Sequence, residues 1–309
     1  MAFMCCLQKY LRTIQGFFSL VFLKDRPWLQ VVLALLLGAF LLYLWYRKRR
    51  SDRLAYLKNV WKDAGKDVVV LHQFPRARNC PSPSPFPLKL ETWLRMKGIK
   101  YVNDFEEYMS PKSKCPWITV NGVEVSDSQL AIDHLVETLE DCEPDDLSPA
   151  DRGLATAVRV TLEEHFYWGL VLDRWIYNEG RGAVEHFEPI PLPKFLTKLL
   201  FKYGGKRLNK GAWEHGLGRH SRADVERLCI RDLEAVSDIL GEKPFLLGDE
   251  PCEADCTLFG FITMCLHCSE IDQVYKLECE KRFKNLVRHS ERMRERFWPD
   301  WEEMRYKEE

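Results

Sequence analysis

The sequence predicts an α/β domain followed by an all-helical domain, both carried behind a single membrane-spanning helix. Three observations predict it. Residues 28–46 (WLQVVLALLLGAFLLYLWY) carry no charge. Between residues 67 and 140, short apolar runs alternate with helical patterns and turn chemistry. From Ser148 onward only helical periodicity is found. A chain of 309 residues has room for two such domains and an extension.

As a helix, residues 28–46 would be about 28 Å long, close to the roughly 30 Å of a bilayer's hydrocarbon core. Trp28 at one end and Tyr43, Trp45 and Tyr46 at the other fit interfacial aromatic belts, and Arg47-Lys48-Arg49-Arg50 follows at once. A cleaved signal peptide fits less well, because the apolar run is longer than a signal core and no small-residue cleavage site follows. The net charge of −1 is uneven: residues 1–50 hold eight Lys/Arg and one Asp, leaving the rest acidic. That asymmetry argues for a membrane surface and against nucleic acid. The basic residues 47–50 predict contact with anionic lipid and place residues 47–309 in the cytosol. No Asn-x-Ser/Thr sequon occurs, and eleven irregularly spaced cysteines suit a reducing compartment. Within residues 1–27, TIQGFFSLVFL suits an interfacial position, and Cys5-Cys6 is a candidate palmitoylation site or two unmodified thiols.

Residues 47–66 form a basic juxtamembrane segment, with Leu54, Leu57 and Trp61 on one helical face before Gly65 stops the helix. The α/β domain spans 67–140. Val68-Val69-Val70-Leu71 reads as a short buried strand. Turn chemistry follows, with prolines at 75, 81, 83, 85 and 87. A helix over 84–97 then carries Phe86, Leu90, Trp93 and Leu94 and ends at Gly98. Ile99 to Val102 reads as a second strand. Strands at 115–120 and 123–125 flank Asn121-Gly122, a strong hairpin signal. Ser126-Asp127-Ser128 starts a helix with Leu130, Ile132 and Leu135. The order β-α-β-loop-β-β-α is that of a thioredoxin-like domain.

An acidic, proline-containing linker leads to the helical domain, 148–300, and a tail of 301–309. Ser148-Pro149-Ala150-Asp151 is a capping box with Pro at the first helical position, and its helix runs to about Tyr177. Further helices fit 193–209, 221–241, 253–269 and 281–297.

The chemistry-bearing residues cluster in the α/β part. Ser84 falls at a helix start, where unpaired amides and the helix dipole favour an anion or a thiolate. A cis bond at Cys115-Pro116 would turn the Cys115 backbone toward that helix. Asp127 and Ser128 open the next helix and suit a carboxylate or amine. Cys80 is a candidate redox thiol. In the helical part, Asp255 can reach back to the amide of Cys252. Glu163-Glu164-His165 reads as an interdomain or core cluster rather than an acid–base pair, and Phe166, Tyr167, Trp168 and Trp175 as packing or the wall of an apolar pocket. Cys265-Leu266-His267-Cys268 resembles a zinc half-site without a second ligand pair, so no metal is expected.

These residues resemble a known family. SPFPLKLETWLRMKGI stands in register with the Cys-Pro-Phe segment of omega-type glutathione transferases, with Ser84 in place of their cysteine. CPWITVNGVEVSDS resembles the family's cis-Pro strand, hairpin and acid-Ser pair, and PFLLGDEPCEADCTLFGF its buried capping box. VVVLHQFPRARNCPSPSPFPLKLETWLRMKGI, with EEHFYW and the preceding membrane helix, is similar to the failed axon connections family, a branch near the metaxins. The resemblance implies a thioredoxin-like domain and a glutathione transferase C-terminal-like domain. Cys115, Pro116, Asp127 and Ser128 would bind glutathione as ligand or cosubstrate; no other cofactor is expected. It also implies a role in axonal development and makes a homodimer a candidate assembly. Two departures are evident. Cys252 stands where the capping box has Ser or Thr, and a thiol accepts weakly, so the cap should be poorer by up to about 1 kcal/mol. The proline-rich run from Arg76 to Pro83 is a candidate to fill or reshape the glutathione site. The expectation is therefore a protein acting mainly by binding. The alternative is an active transferase in which Ser84 stabilises the glutathione thiolate; a minor third is thiol–disulfide exchange through Cys80 or Cys115.

Overall fold

The computed structural model describes residues 27–187, 194–267 and 274–306. The expectations for Cys5, Cys6, the interfacial segment and Cys268 lie outside those residues. The chain divides into two compact units, residues 1–63 and 64–309. The first unit is described by one helix, α1 (Pro27–Lys62). The uncharged run and the basic segment after it form this one helix of 36 residues. Leu35, Leu36, Leu37 and every residue from Phe40 to Tyr46 are more than 40% exposed, whereas Leu57 and Trp61 further along are buried, and the apolar stretch is long enough to cross a membrane by length and composition.

The second unit opens with β1 (Val69–His72), α2 (Pro85–Met96), β2 (Tyr101–Asp104), β3 (Trp117–Val120), β4 (Val123–Ser126) and α3 (Ser128–Thr138). The sheet order is β2-β1-β3-β4, with β1–β2 parallel and the other pairs antiparallel. The central strands β1 and β3 are buried throughout, whereas β2 and β4 are partly exposed, as edges are. Asn121 and Gly122 both take positive φ, 49° and 82°, which the tight hairpin requires. Helix α2 ends in a Schellman motif: Ile99 N–H donates to Leu94 O at 2.9 Å and Gly98 N–H to Arg95 O at 3.1 Å, with Gly98 at φ 66°. That motif uses Ile99 as a helix cap, so β2 begins two residues later than the apolar run suggests.

The helical half begins with α4 (Pro149–Val160), capped by Ser148, whose Oγ accepts from Asp151 N–H at 3.1 Å. It passes through a π-helical turn, Thr161–Phe166, into α5 (Tyr167–Trp175). Then follow α6 (Arg181–Phe187), α7 (Lys194–His215), α8 (Arg222–Leu240), α9 (Glu253–His267), α10 (Val274–Lys281) and α11 (Lys284–Phe297). Helices α6 and α10 are short and were not expected from the periodicity. Every residue of α9 from Ala254 to Cys265 is buried, so it forms the axis of the core. It lies against α2, and Gly260 permits this: a Cβ there would stand 2.6 Å from Pro85 O.

Candidate functional site: one cavity between the sheet domain and the helices

The N-terminus of α2, the loop before β3, the start of α3 and the π-helical turn surround a cavity of about 570 Å³. Ser84, Cys115, Asp127 and Ser128, far apart in the chain, all line it. Its apolar wall includes Phe74, Phe86, Tyr167, Trp168 and Trp175, and its charged lining includes Lys114, Arg159, Glu163, Glu164 and Arg174. A pocket of this size, apolar with a few polar groups, suits a small organic ligand.

Ser84 is the N-cap residue of α2 with extended backbone, yet its side chain makes no capping hydrogen bond. The prolines explain why no cap is needed. Pro85 and Pro87 occupy the first and third helical positions and carry no N–H, so only Phe86 of the first three residues retains a donor. The expectation of an amide-rich anion cradle at this helix start is corrected by that count. What remains beside the cavity is the Ser84 hydroxyl, the dipole and one amide.

The Cys115–Pro116 bond is cis. Burial pushes the Cys115 thiol up to about 12, with a backbone hydrogen bond to Phe74 opposing it. The thiol is therefore protonated at neutral pH and a poor nucleophile. Pro116 is not part of the cavity lining; its carbonyl accepts from Asp127 N–H at 3.2 Å and joins the two loops. Asp127, at φ 93°, caps α3: its Oδ1 accepts from Gln129 N–H at 3.0 Å, while Lys114 Nζ stands 3.1 Å from its Oδ2. Both carboxylate oxygens are thus engaged, and a ligand amine would compete with Lys114. Ser128 is buried at the cavity edge. Cys80 is fully buried, its thiol donating to Ser82 O at 3.0 Å, which removes it from solution redox partners.

The proline-rich loop is fastened away from the cavity. Arg76 makes a bidentate pair with Glu91 on α2 at 2.7 Å, and Ala77 O accepts from Tyr306 N–H at 2.9 Å. Of residues 76–83 only Pro83 lines the cavity. Glu91 is wholly buried and also accepts from Gln73, Tyr101 and Asn103. Burial alone would raise its carboxyl; the Arg76 guanidinium and these donors outweigh that and hold it below the usual range.

Lys89 was not expected at the site. It lies at zero exposure on α2, donating to Glu163 Oε1 and to Gln129 Oε1, both at 2.7 Å. Arg159 reaches the other oxygen of Glu163 at 3.1 Å. The signal was present: Lys89 is three residues after Phe86 and four before Trp93, on the apolar stripe. His165, in the same π-turn, shares a 2.6 Å hydrogen bond with Asp232 on α8. In the helical half, Asp255 Oδ2 accepts from Cys252 N–H at 2.9 Å and Oδ1 from Leu246 N–H at 2.8 Å. The Cys252 thiol donates to Asp255 at 3.2 Å instead of accepting from its amide, so half of a capping box is formed.

A model of the glutathione S-transferase N-terminal domain matches residues 85–180, and one of the glutathione S-transferase C-terminal domain matches residues 229–293. Among solved structures, a glutathione S-transferase of Ceriporiopsis subvermispora in complex with glutathione superposes with a TM-score of 0.55 at 16% identity, over 74% of this chain and 97% of that one. A glutathione transferase of Phanerochaete chrysosporium gives 0.50 at 14% identity, over 75% and 98%. The chain belongs to the proteins of glutathione S-transferase fold, with a thioredoxin-like domain ahead of a helical one. Within that fold it is related to "Failed axon connections" of Drosophila melanogaster, with 32% identity over 252 residues and 77% of this chain. The alignment spans 60% of that relative's length. An isoprene-epoxide glutathione S-transferase from a Rhodococcus species is 27% identical over 74% of this chain and 99% of its own.

Proposed function

We propose that the protein is a membrane-anchored, cytosol-facing binding protein whose cavity holds glutathione or a small peptide thiol of the same chemistry. The observation that carries this reading is the meeting of Ser84, Cys115, Asp127 and Ser128 around one open cavity. In the bound state the peptide backbone of the ligand pairs with the Cys115 segment, its γ-glutamyl end meets Asp127 and Ser128, and its sulfur points to Ser84. The exposed apolar helix α1 and the basic residues 47–50 support anchoring, with the globular part on the positive-inside face. The relation to the Drosophila protein supports a role in axonal development.

A second reading, an active transferase, is favoured by one feature. The Ser84 hydroxyl makes no capping bond and is positioned to donate to a thiolate. Its weakness is the pair of prolines that remove amide donors from the same helix end. Calorimetric titration of glutathione into the full chain in nanodiscs, followed by a conjugation assay with a reactive aromatic halide, separates the readings. Binding weakened by Asp127→Ala with no turnover is the expected result. Turnover lost in Ser84→Ala at unchanged stability would establish the transferase instead, and the absence of any heat would remove both.

A further inference from the structure

Helix α7 presents two very different faces. On one side Ala212 is fully buried, and Gly204 and Gly211 bring the backbone against indole rings. A Cβ at Gly204 would lie 3.4 Å from Trp175, and one at Gly211 2.8 Å from Trp168. On the other side Leu196, Leu199, Leu200 and Tyr203 are 38%, 62%, 53% and 74% exposed. At 100° per residue these four fall within about a 100° arc, and Lys206 and Lys210 continue the same stripe toward the C-terminus. Lys202, Lys206 and Lys210 are exposed, while Arg207 lines the cavity; Glu214, 3.6 Å from Lys210, is the sole acidic residue of the helix. The apolar and basic residues therefore segregate along the axis of one outward face.

We infer that this face of α7 is a lipid-docking surface, which lies on an anionic bilayer with its leucines and Tyr203 in the headgroup boundary and its lysines on the phosphates. A protein partner fits it less well, because lysine is depleted in the cores of protein interfaces. Leucine and aromatic residues beside lysines are the composition of interfacial helices. The inference rests on the reading of α1 as a bilayer span, since a covalent tether raises the concentration of α7 at that bilayer. Each basic residue held at an anionic surface contributes about fivefold in affinity.

The test uses the full chain in nanodiscs of phosphatidylcholine alone or mixed with phosphatidylserine. Amine-reactive labelling of Lys206 and Lys210 is read by mass spectrometry, with exposed Lys243 as the internal standard. Labelling of Lys206 and Lys210 is expected to fall several-fold in the anionic discs and to recover at high salt. Leu199→Glu with Tyr203→Glu should abolish the fall at unchanged melting temperature, since both side chains are exposed. Lys206→Gln should weaken the dependence on anionic lipid by about fivefold. Equal labelling in both discs, or a fall that tracks protein concentration and so reports a second copy, would overturn the inference. Extraction of the chain from natural membranes by alkaline carbonate would instead remove the span reading, independently of the labelling pattern.

Discussion

Lys89 of α2 and Glu163 of the π-helical turn meet at 2.7 Å, with the lysine wholly buried. The pair crosses from the sheet domain to the helical half at the back of the cavity. Two charges withdrawn from water are stable there because each has further partners: Gln129 for Lys89 and Arg159 for Glu163. Replacing Glu163 by Leu leaves the buried ammonium with Gln129 and only the more distant carboxylate of Glu253, 3.9 Å away. Unfolding of the chain in micelles should register a loss of about 3–5 kcal/mol. The double variant Lys89→Met/Glu163→Leu should recover most of it. A single variant as stable as the parent would mean that the pair does not hold the two halves together.

Glu91 gives the molecule an acid sensitivity of definite sign. Its folded carboxyl is held below the usual range by Arg76 against burial, so its contribution is complete above the ordinary glutamate value of about 4.3 and disappears as pH falls through the lower folded value. Asp300, hydrogen-bonded to Arg95, and Asp104, bonded to His72 against its own burial, are lowered too and act in the same window. The melting temperature should begin to slope down below about pH 6.5, where burial keeps His72 and His215 harder to protonate in the folded chain, and drop more steeply below about 4. Glu91→Gln should lower it at neutral pH and flatten the acid limb; a limb of unchanged steepness would assign the sensitivity to other groups.

Gly260 links the core to the cavity. An added methyl at this position meets Pro85 O at 2.6 Å and Lys89 N at 3.4 Å, contacts with backbone that cannot turn aside. Gly260→Ala should cost about 1–3 kcal/mol through overpacking and, by displacing Pro85, move the adjoining Ser84. Glutathione affinity, measured by calorimetry on the folded variant, should fall with it. Full stability and full affinity together would contradict the close approach of α9 to α2.

Cys115 should be slow to react despite lining the cavity. With its thiol near 12, its thiolate fraction at neutral pH is about a thousandfold below that of an ordinary cysteine. Mass-spectrometric alkylation kinetics at pH 7.5 should therefore find Cys115 far slower than free glutathione, and Cys115→Ser should leave ligand binding intact. Rapid alkylation at Cys115 would reopen thiol exchange as a function.

Local chemistry made much of the fold legible. Asn121-Gly122 announced the hairpin, Ser148-Pro149 the start of α4, and Gly98 the end of α2, because each is a backbone requirement that few residues meet. Ser84, Cys115, Asp127 and Ser128 line one cavity, a convergence that the resemblance to glutathione transferases implied and local patterns alone did not. Misreadings arose where one residue type serves two purposes. Ile99 is apolar because it closes a helix cap, not because a strand begins there. Of the three apolar residues that marked α3, Leu130 is 54% exposed, and Ala131 joins Ile132 and Leu135 on the buried face. Pro85 and Pro87 marked a helix start correctly, while their missing amides, which change what that start can bind, went uncounted. Lys89 was hidden by the habit of assigning charge to the surface; its partner Glu163 is 74 residues away.

The glycines of α7 leave that helix almost no slack where it leans on Trp168 and Trp175. Backbone this close to the benzo carbons of an indole has no side chain to swing aside, so a push on the outer surface of this rod is handed straight to the rings. Those rings are part of the chamber that Ser84 borders. One stiff wall thus has open surface on its outer side and the cavity on its inner side, so a substitution that shifts this helix should also change the room within.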